Sequence, residues 1–229
     1  MALQLTPNQK RISCLLKLIA VFSALIGTLL SAYAGRKSFM GGSRVFMYFT
    51  IQSNLAAAAV CLVGLFLILR GKPVSGAWFI LKFVVTVSIT LTGVVFTFVL
   101  APTFWARAWS LPNTLTHLVV PVAAVADFFA VSTAFEIRKK NVFYVTIPPL
   151  LYVIYAGIGY ARGWEFADGI CYPYFFLNWG SNAGAFGFTD HLPYMGCAWW
   201  ILLLMLFLIG VGYLYLFIAD RIRKRFPQS

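Results

Sequence analysis

The stretch GCAWWILLLMLFLIGVGYLYLFIA, from Gly196 to Ala219, has no charged side chain and is long enough to cross a bilayer as a helix. Comparable apolar stretches precede it along the chain. The six predicted spans are Ile12–Ala34, Val45–Leu69, Ala77–Leu100, Asn113–Phe135, Val142–Tyr160 and Gly196–Ala219. Only 10% of the 229 residues are charged, whereas about a quarter are in ordinary soluble domains. We therefore predict an all-α integral membrane protein whose single domain, residues 1–229, is one bundle of six transmembrane helices.

The basic residues at the span ends predict the orientation. We place Lys17 in a retained first helix and not in a cleaved signal, because the apolar stretch around it is too long for one. One side of the membrane receives Lys10, Arg11, Lys17, Arg70, Lys72, Arg138, Lys139, Lys140, Arg221, Arg223, Lys224 and Arg225. The other side receives only Arg36, Lys37, Arg44, Arg107 and Arg162. By the positive-inside rule we expect both termini in the cytoplasm.

The formal net charge of +12 does not indicate a nucleic-acid partner. Its basic residues are scattered over short loops and do not form one face, so topology and anionic lipid headgroups explain them better. The four cysteines include no CxxC pair and no cluster with histidine, so neither a disulfide framework nor a zinc site is indicated. Membrane lipids are the partners that we expect.

The connection from about Ala161 to Met195 is long and rich in aromatic residues, glycine and asparagine. Connections of this length are usually functional or disordered, and the aromatic content argues against disorder. We expect it to lie on the outer membrane surface or to fold back over the bundle as a lid.

Two polar side chains are the strongest candidates for a site. His117 lies inside the fourth span, where an ionisable group is costly enough to suggest a function. Thr50 is in the second span, and both residues should lie about 8–9 Å below the same surface at 1.5 Å rise per residue. Because histidine is the usual base near neutral pH, the pair suggests a nucleophile and its general base. Pro121 should leave the carbonyl of His117 without its helical partner and kink the helix.

Other polar residues could complete such a site. Asn54, Asn113 and, from the long loop, Asn178 are candidates to bind substrate or to form an oxyanion hole. The group that orients His117 stays open: the alternatives are Asp168, Asp190, Asn113, a backbone carbonyl or no acid at all. Asp127 lies about 15 Å further along the helix axis, so we expect it in an interhelical network or as a neutral acid. We expect Lys82 to snorkel to the membrane surface.

Four short segments carry a resemblance to a known family. They are YFTIQSN at Tyr48–Asn54, THLVVPVAAVADFF at Thr116–Phe129, PPLLYVIY at Pro148–Tyr155 and YPYFFLN at Tyr172–Asn178. Distributed over six spans, they resemble the androgen-induced membrane-protein family and its bacterial relatives, and the bacterial likeness implies a bacterial inner membrane. The resemblance implies a threonine hydrolase, embedded in the membrane, that cleaves fatty acid esters of hydroxy fatty acids. It also implies Thr50 as nucleophile and His117 as base, with no metal or organic cofactor.

Two alternatives to an enzyme stay open. In the first, a non-catalytic protein binds or transports a lipid or small solute through the cluster of Thr50, Asn54 and His117. A transporter would be expected to have an inverted repeat, and the sequence contains no clear one. In the second, a structural membrane subunit would have Thr50 and His117 on different faces or apart in the bundle, each bonded to backbone or to a neighbouring helix.

Overall fold

The computed structural model describes residues 5–36, 42–104, 108–132 and 135–225. It contains six helices that are long and apolar enough to cross a membrane, so the predicted all-α bundle is confirmed. They are α1 (Pro7–Gly35), α2 (Phe49–Leu69), α3 (Gly76–Thr103), α4 (Leu111–Ala130), α5 (Lys139–Ala161) and α6 (Cys197–Arg225). Two basic residues assigned to the outer side, Lys37 and Arg107, lie outside the described residues.

Local sequence signals explain several helix ends. The Thr6 hydroxyl accepts a hydrogen bond from the Gln9 backbone N–H at 3.2 Å, and the Gln9 side chain accepts from the Thr6 N–H at 3.0 Å. This capping box satisfies two N–H groups that have no partner within the helix. α4 ends at Ala130, earlier than predicted, where the hydroxyl of Ser132 donates to the Phe129 carbonyl at 2.8 Å.

α1 packs against α2 and α4, and α3 packs against α2 and α4, which makes these four helices the compact part of the bundle. Small side chains form much of their common core, among them Ala20, Ala24, Ala57, Ala58, Ala123 and Ala124. Such residues let helix backbones approach closely where lipid provides no hydrophobic driving force. α6 packs on the first, 3₁₀-helical part of α5 (Lys139–Thr146) and on α3, and less on the remainder of α5.

Two of the helices contain a π turn at the same end of the bundle. In α3 the turn is Phe96–Leu100, and in α4 it is Leu115–Val119, just before Pro121. A regular π ladder would have the N–H of residue 121 donate to the carbonyl of Thr116, but proline has no N–H. The side chain of Asn54 donates to that carbonyl at 3.0 Å instead. We predicted a kink and a His117 carbonyl without its helical partner; the structure instead has a widened turn just before Pro121, and the carbonyl that α2 binds is that of Thr116.

A buried ion cluster joins α1, α3 and α4 near their other ends. Asp127 accepts hydrogen bonds at 2.5 Å from Lys17, from Lys82 and from the hydroxyl of Ser13. The four residues are at most 6% exposed, so the expectation that Lys82 snorkels to the surface is wrong. It is wrong because the carboxylate that holds Lys82 inside comes from another helix. Asp127 thus lies in an interhelical network, one of its two predicted roles.

The connection between α5 and α6 folds back onto the bundle. Arg44, which precedes α2, forms ion pairs with Glu165 at 2.9 Å and with Asp168. The hydroxyl of Tyr48 donates to the carbonyl of Phe166 at 3.0 Å. These contacts cover the first turn of α2, so the loop takes the lid arrangement that was one of its two predicted placements.

Candidate functional site

A pocket of about 360 Å³ lies between the lid and the adjoining ends of α1 to α4. Its size is within the range of small-molecule sites. Most of its wall is apolar, and its polar side chains include Thr50, Asn113, Thr116, His117, Tyr172 and Tyr174. The pocket brings together the predicted nucleophile and the predicted base, which are on different helices.

Thr50 occupies the first turn of α2, where backbone N–H groups have no partner within the helix. α2 begins at Phe49, later than predicted, because residues Gly42–Met47 form a 3₁₀ helix. The preceding residue, Tyr48, gives no side-chain cap. The hydroxyl of Tyr174 lies 3.3 Å from the Thr50 backbone nitrogen and 3.4 Å from Thr50 Oγ1. The lid thus contacts Thr50 directly, and Oγ1 is directed at a side chain and not at the backbone of its own helix.

The hydrogen bonds of His117 define which ring nitrogen carries the proton. Nδ1 lies 3.1 Å from the carbonyl oxygen of Asn113 and 3.1 Å from the hydroxyl oxygen of Thr116. The single proton of the Thr116 hydroxyl is donated to the carbonyl of Pro112 at 2.9 Å. Both neighbours of Nδ1 are therefore acceptors, so Nδ1 carries the hydrogen and Nε2 has the free lone pair. A backbone carbonyl thus orients the imidazole, as in one of the open alternatives.

The ring of Phe96 packs against one face of the imidazole. The two rings stack with centroids 3.7 Å apart and planes inclined by 19°. Phe96 belongs to the π turn of α3, and His117 belongs to the π turn of α4. π turns often occur at functional sites and change the direction of side chains. The π turns of α3 and α4 therefore position the His117 ring against Phe96. His117 is 8% exposed and is one of the residues that line the pocket.

Within the described part of the chain, no direct hydrogen bond joins Thr50 to His117. They share one cavity, so proton transfer between them would have to pass through a water molecule or a substrate. Catalytic hydrogen bonds are often long in unliganded enzymes and tighten when substrate binds.

The three asparagine candidates differ in their positions. Asn54 is fully buried outside the pocket, and its two N–H groups donate to the carbonyls of Thr50 at 2.8 Å and Thr116 at 3.0 Å. It is therefore not available as an oxyanion donor in this arrangement and instead links α2 to α4. Asn113 lines the pocket and uses one N–H on the carbonyl of Ala108. Asn178 lies in the lid away from the pocket lining, where its side-chain oxygen accepts from the Gly180 N–H.

The two acids proposed to orient His117 have other surroundings. Asp168 pairs with Arg44 on the outside of the lid, and Asp190 is exposed. Asp127 does not line the pocket and belongs to the ion cluster with Lys17.

Tyr174 is the residue at this site whose role the sequence did not reveal. It falls in the segment Tyr172–Asn178 that carries the family resemblance, yet nothing local connects it to Thr50. Burial raises the pKa of its phenol, so the hydroxyl stays protonated and can donate a hydrogen bond as well as accept one. A neutral donor beside the threonine is suited to position it or to stabilise negative charge that develops there.

Comparisons of the chain with protein-family models, with curated proteins and with solved structures found no match.

Proposed function

We propose that this membrane protein is a threonine hydrolase that cleaves lipid esters, with Thr50 as nucleophile and His117 as general base. The observation that carries the proposal is the hydrogen bonding of His117. Its Nδ1 proton is held by the Asn113 carbonyl, so Nε2 is the basic nitrogen, and the ring borders the cavity that also contains Thr50. A base with a defined tautomer that shares a cavity with a hydroxyl supports nucleophilic catalysis.

These positions support the following reaction. His117 Nε2 removes the proton from Thr50 Oγ1 as that oxygen bonds to the ester carbonyl carbon. The tetrahedral intermediate collapses when the alcohol oxygen leaves, and Nε2–H protonates that oxygen. Water, deprotonated by the same nitrogen, then attacks the acyl-threonine, and Nε2–H returns that proton to Thr50 Oγ1 as the carboxylic acid leaves. Tyr174, whose hydroxyl lies 3.4 Å from Thr50 Oγ1, and the remaining N–H of Asn113, which lines the same pocket, are the candidate donors to the developing oxyanion.

The apolar surroundings support a lipid as substrate. Besides the main pocket, His117 borders a groove of about 400 Å³ between α3 and α4, whose wall includes Phe98 and Val122. These two side chains are 73% and 58% exposed, as expected for a surface that faces lipid. An ester could therefore approach the base from the bilayer. The family resemblance adds fatty acid esters of hydroxy fatty acids as the specific substrate class of the proposal.

The test combines active-site labelling with hydrolysis of model esters by the purified protein in detergent. Wild type should react with a fluorophosphonate, and peptide mapping should find the label on Thr50. Thr50→Ala should abolish labelling and hydrolysis, while Thr50→Ser, which keeps a hydroxyl, should retain measurable activity. His117→Gln should lower kcat by about 10²–10⁴-fold, the usual contribution of a general base. Full hydrolysis by Thr50→Ala at equal amounts of monodisperse protein would eliminate the mechanism.

A second candidate function is binding or transport of a lipid without catalysis. The observation in its favour is the missing direct hydrogen bond between Thr50 and His117. On this alternative wild type binds a radiolabelled lipid ester, releases it unchanged, and is not labelled at Thr50. Turnover of the bound ester distinguishes the two functions in one experiment.

We further propose that both termini lie in the cytoplasm of a bacterial cell, with the protein in its inner membrane and the lid outside. With Lys17 buried in the ion cluster, the remaining basic residues still favour that side. In a background without native cysteines, Phe186→Cys in the lid should react with an impermeant maleimide added to spheroplasts, whereas Gln228→Cys should react only after lysis. The reverse pattern would overturn the orientation.

A further inference from the structure

Thr50 lies on the wall between two compartments. Besides the pocket that contains His117, a smaller cavity of about 60 Å³ lies between α2, α3, α5, α6 and the lid. Thr50, Leu100 and Tyr174 line both compartments. The larger one will be called the base compartment and the smaller one the apolar compartment. The two arms of an ester that reacts at Thr50 can therefore occupy separate compartments.

The base is on one side only. His117 borders the base compartment and not the apolar one. In ester cleavage the protonated base must deliver its proton to the oxygen of the departing alcohol, so the alcohol has to lie on the same side as the base. The acyl group stays attached to the nucleophile and needs space on the other side. The direction of proton transfer therefore assigns the two arms of an ester to the two compartments.

Resting on the hydrolase function proposed above, we propose that the acyl arm of the substrate binds in the apolar compartment and the alcohol arm in the base compartment. The walls agree with this assignment. The apolar compartment has predominantly hydrocarbon and aromatic walls, including Val95, Val153 and Leu204. The base compartment has polar side chains beside its apolar wall, including Asn113 and Tyr172, and is suited to an alcohol that bears a further polar group.

The sizes of the compartments predict a selectivity. A space of about 60 Å³ next to the nucleophile admits an unbranched chain, whereas about 360 Å³ also admits a branched alcohol. Ile201, Leu204 and Met205 on α6 are partly exposed, and α6 packs less on the later part of α5. A long acyl chain can therefore continue past these side chains into lipid. The assignment therefore predicts that branching next to the ester carbonyl is tolerated less than branching of the alcohol.

The experiment compares three esters in detergent: a straight-chain acyl ester of a primary alcohol, its 2-methyl acyl analogue, and the straight-chain ester of a secondary alcohol. For each variant, kcat/KM for the 2-methyl ester and kcat/KM for the secondary-alcohol ester are each divided by kcat/KM for the first ester. These quotients are the 2-methyl ratio and the secondary-alcohol ratio, and the division cancels overall losses of activity. Leu204→Ala enlarges the apolar compartment and should raise the 2-methyl ratio by about tenfold or more, the usual effect of one methyl-sized change in an apolar pocket. Its secondary-alcohol ratio should stay within about twofold of wild type.

Two further variants make the result specific. Ile170→Ala enlarges the base compartment from the lid and should change only the secondary-alcohol ratio. Leu203→Ala, next to Leu204 in sequence but 50% exposed and outside both compartments, should change neither ratio. If Leu204→Ala does not give a monodisperse peak in gel filtration, Met205→Ala tests the same wall.

The outcomes separate the two proposals. Wild-type turnover with labelling at Thr50, together with the two independent ratio changes, supports the assignment of the arms. The assignment is overturned, and the hydrolase left intact, if wild type shows turnover and labelling but each variant changes both ratios. The same holds if Leu204→Ala changes the secondary-alcohol ratio and Ile170→Ala changes the 2-methyl ratio. Absence of turnover and labelling in wild type overturns the hydrolase, and the assignment with it.

Discussion

Replacing Asp127 by asparagine should destabilise the protein strongly without changing its chemistry. The carboxylate pairs with the ammonium groups of Lys17 and Lys82 at 2.5 Å each, and the three residues are 1%, 2% and 6% exposed. Removing one partner of a buried ion pair costs roughly 3–5 kcal/mol, because the other charge is left buried and uncompensated. For a protein of this size that is about 6–20 °C in unfolding temperature, at about 2–4 °C per kcal/mol.

Thermal unfolding in detergent, followed by tryptophan fluorescence, measures this loss. The matched control combines Asp127→Asn with Lys17→Met and Lys82→Met, since replacing all members of a buried ion cluster by apolar or neutral groups is often neutral. The combined variant should therefore be more stable than Asp127→Asn alone. Ester hydrolysis per folded molecule should stay within about twofold of wild type in both, because Asp127 does not line the pocket. A wild-type unfolding temperature for Asp127→Asn, or no recovery in the combined variant, would refute the reasoning.

Three other perturbations test the site and its support. Gly93→Ala places a methyl group 2.9 Å from a carbonyl oxygen of α4, so it should cost about 1–3 kcal/mol of stability and lower activity. Gly210→Ala, with open space around it, should be neutral or slightly stabilising. The unfolding temperatures of the two variants test this difference. Tyr174→Phe removes the hydroxyl that positions Thr50, so it should lower kcat by roughly 10–10²-fold with little change in KM or unfolding temperature. An unchanged kcat in steady-state kinetics would exclude that role. Arg44→Gln releases the lid from its ion pairs and should accelerate limited proteolysis between α5 and α6 while the helices stay protected, as mass spectrometry of the fragments would show.

The sequence alone determined the fold class and the number of spans. The apolar length of a segment is a local property, and the bilayer requires that length whatever the neighbouring helices are. The same reasoning singled out His117, because an ionisable group inside an apolar segment is costly. Thr50 was singled out by its matched depth below the same surface and by the family resemblance. Pro121 likewise predicted an irregular fourth helix, because the missing N–H is a property of that residue alone.

Only the tertiary structure decided what those groups contact. Tyr174 lies 124 residues from Thr50, and Lys17 lies 110 residues from Asp127, so neither pair follows from spacing along the chain. The two π turns depend on how α3 and α4 pack, and the second is completed by Asn54 from α2. Lys82 was misassigned for the same reason: whether a lysine turns inward or reaches the membrane surface depends on a carboxylate that another helix places beside it. Contacts between helices distant in sequence arise from packing, and packing is a property of the whole bundle.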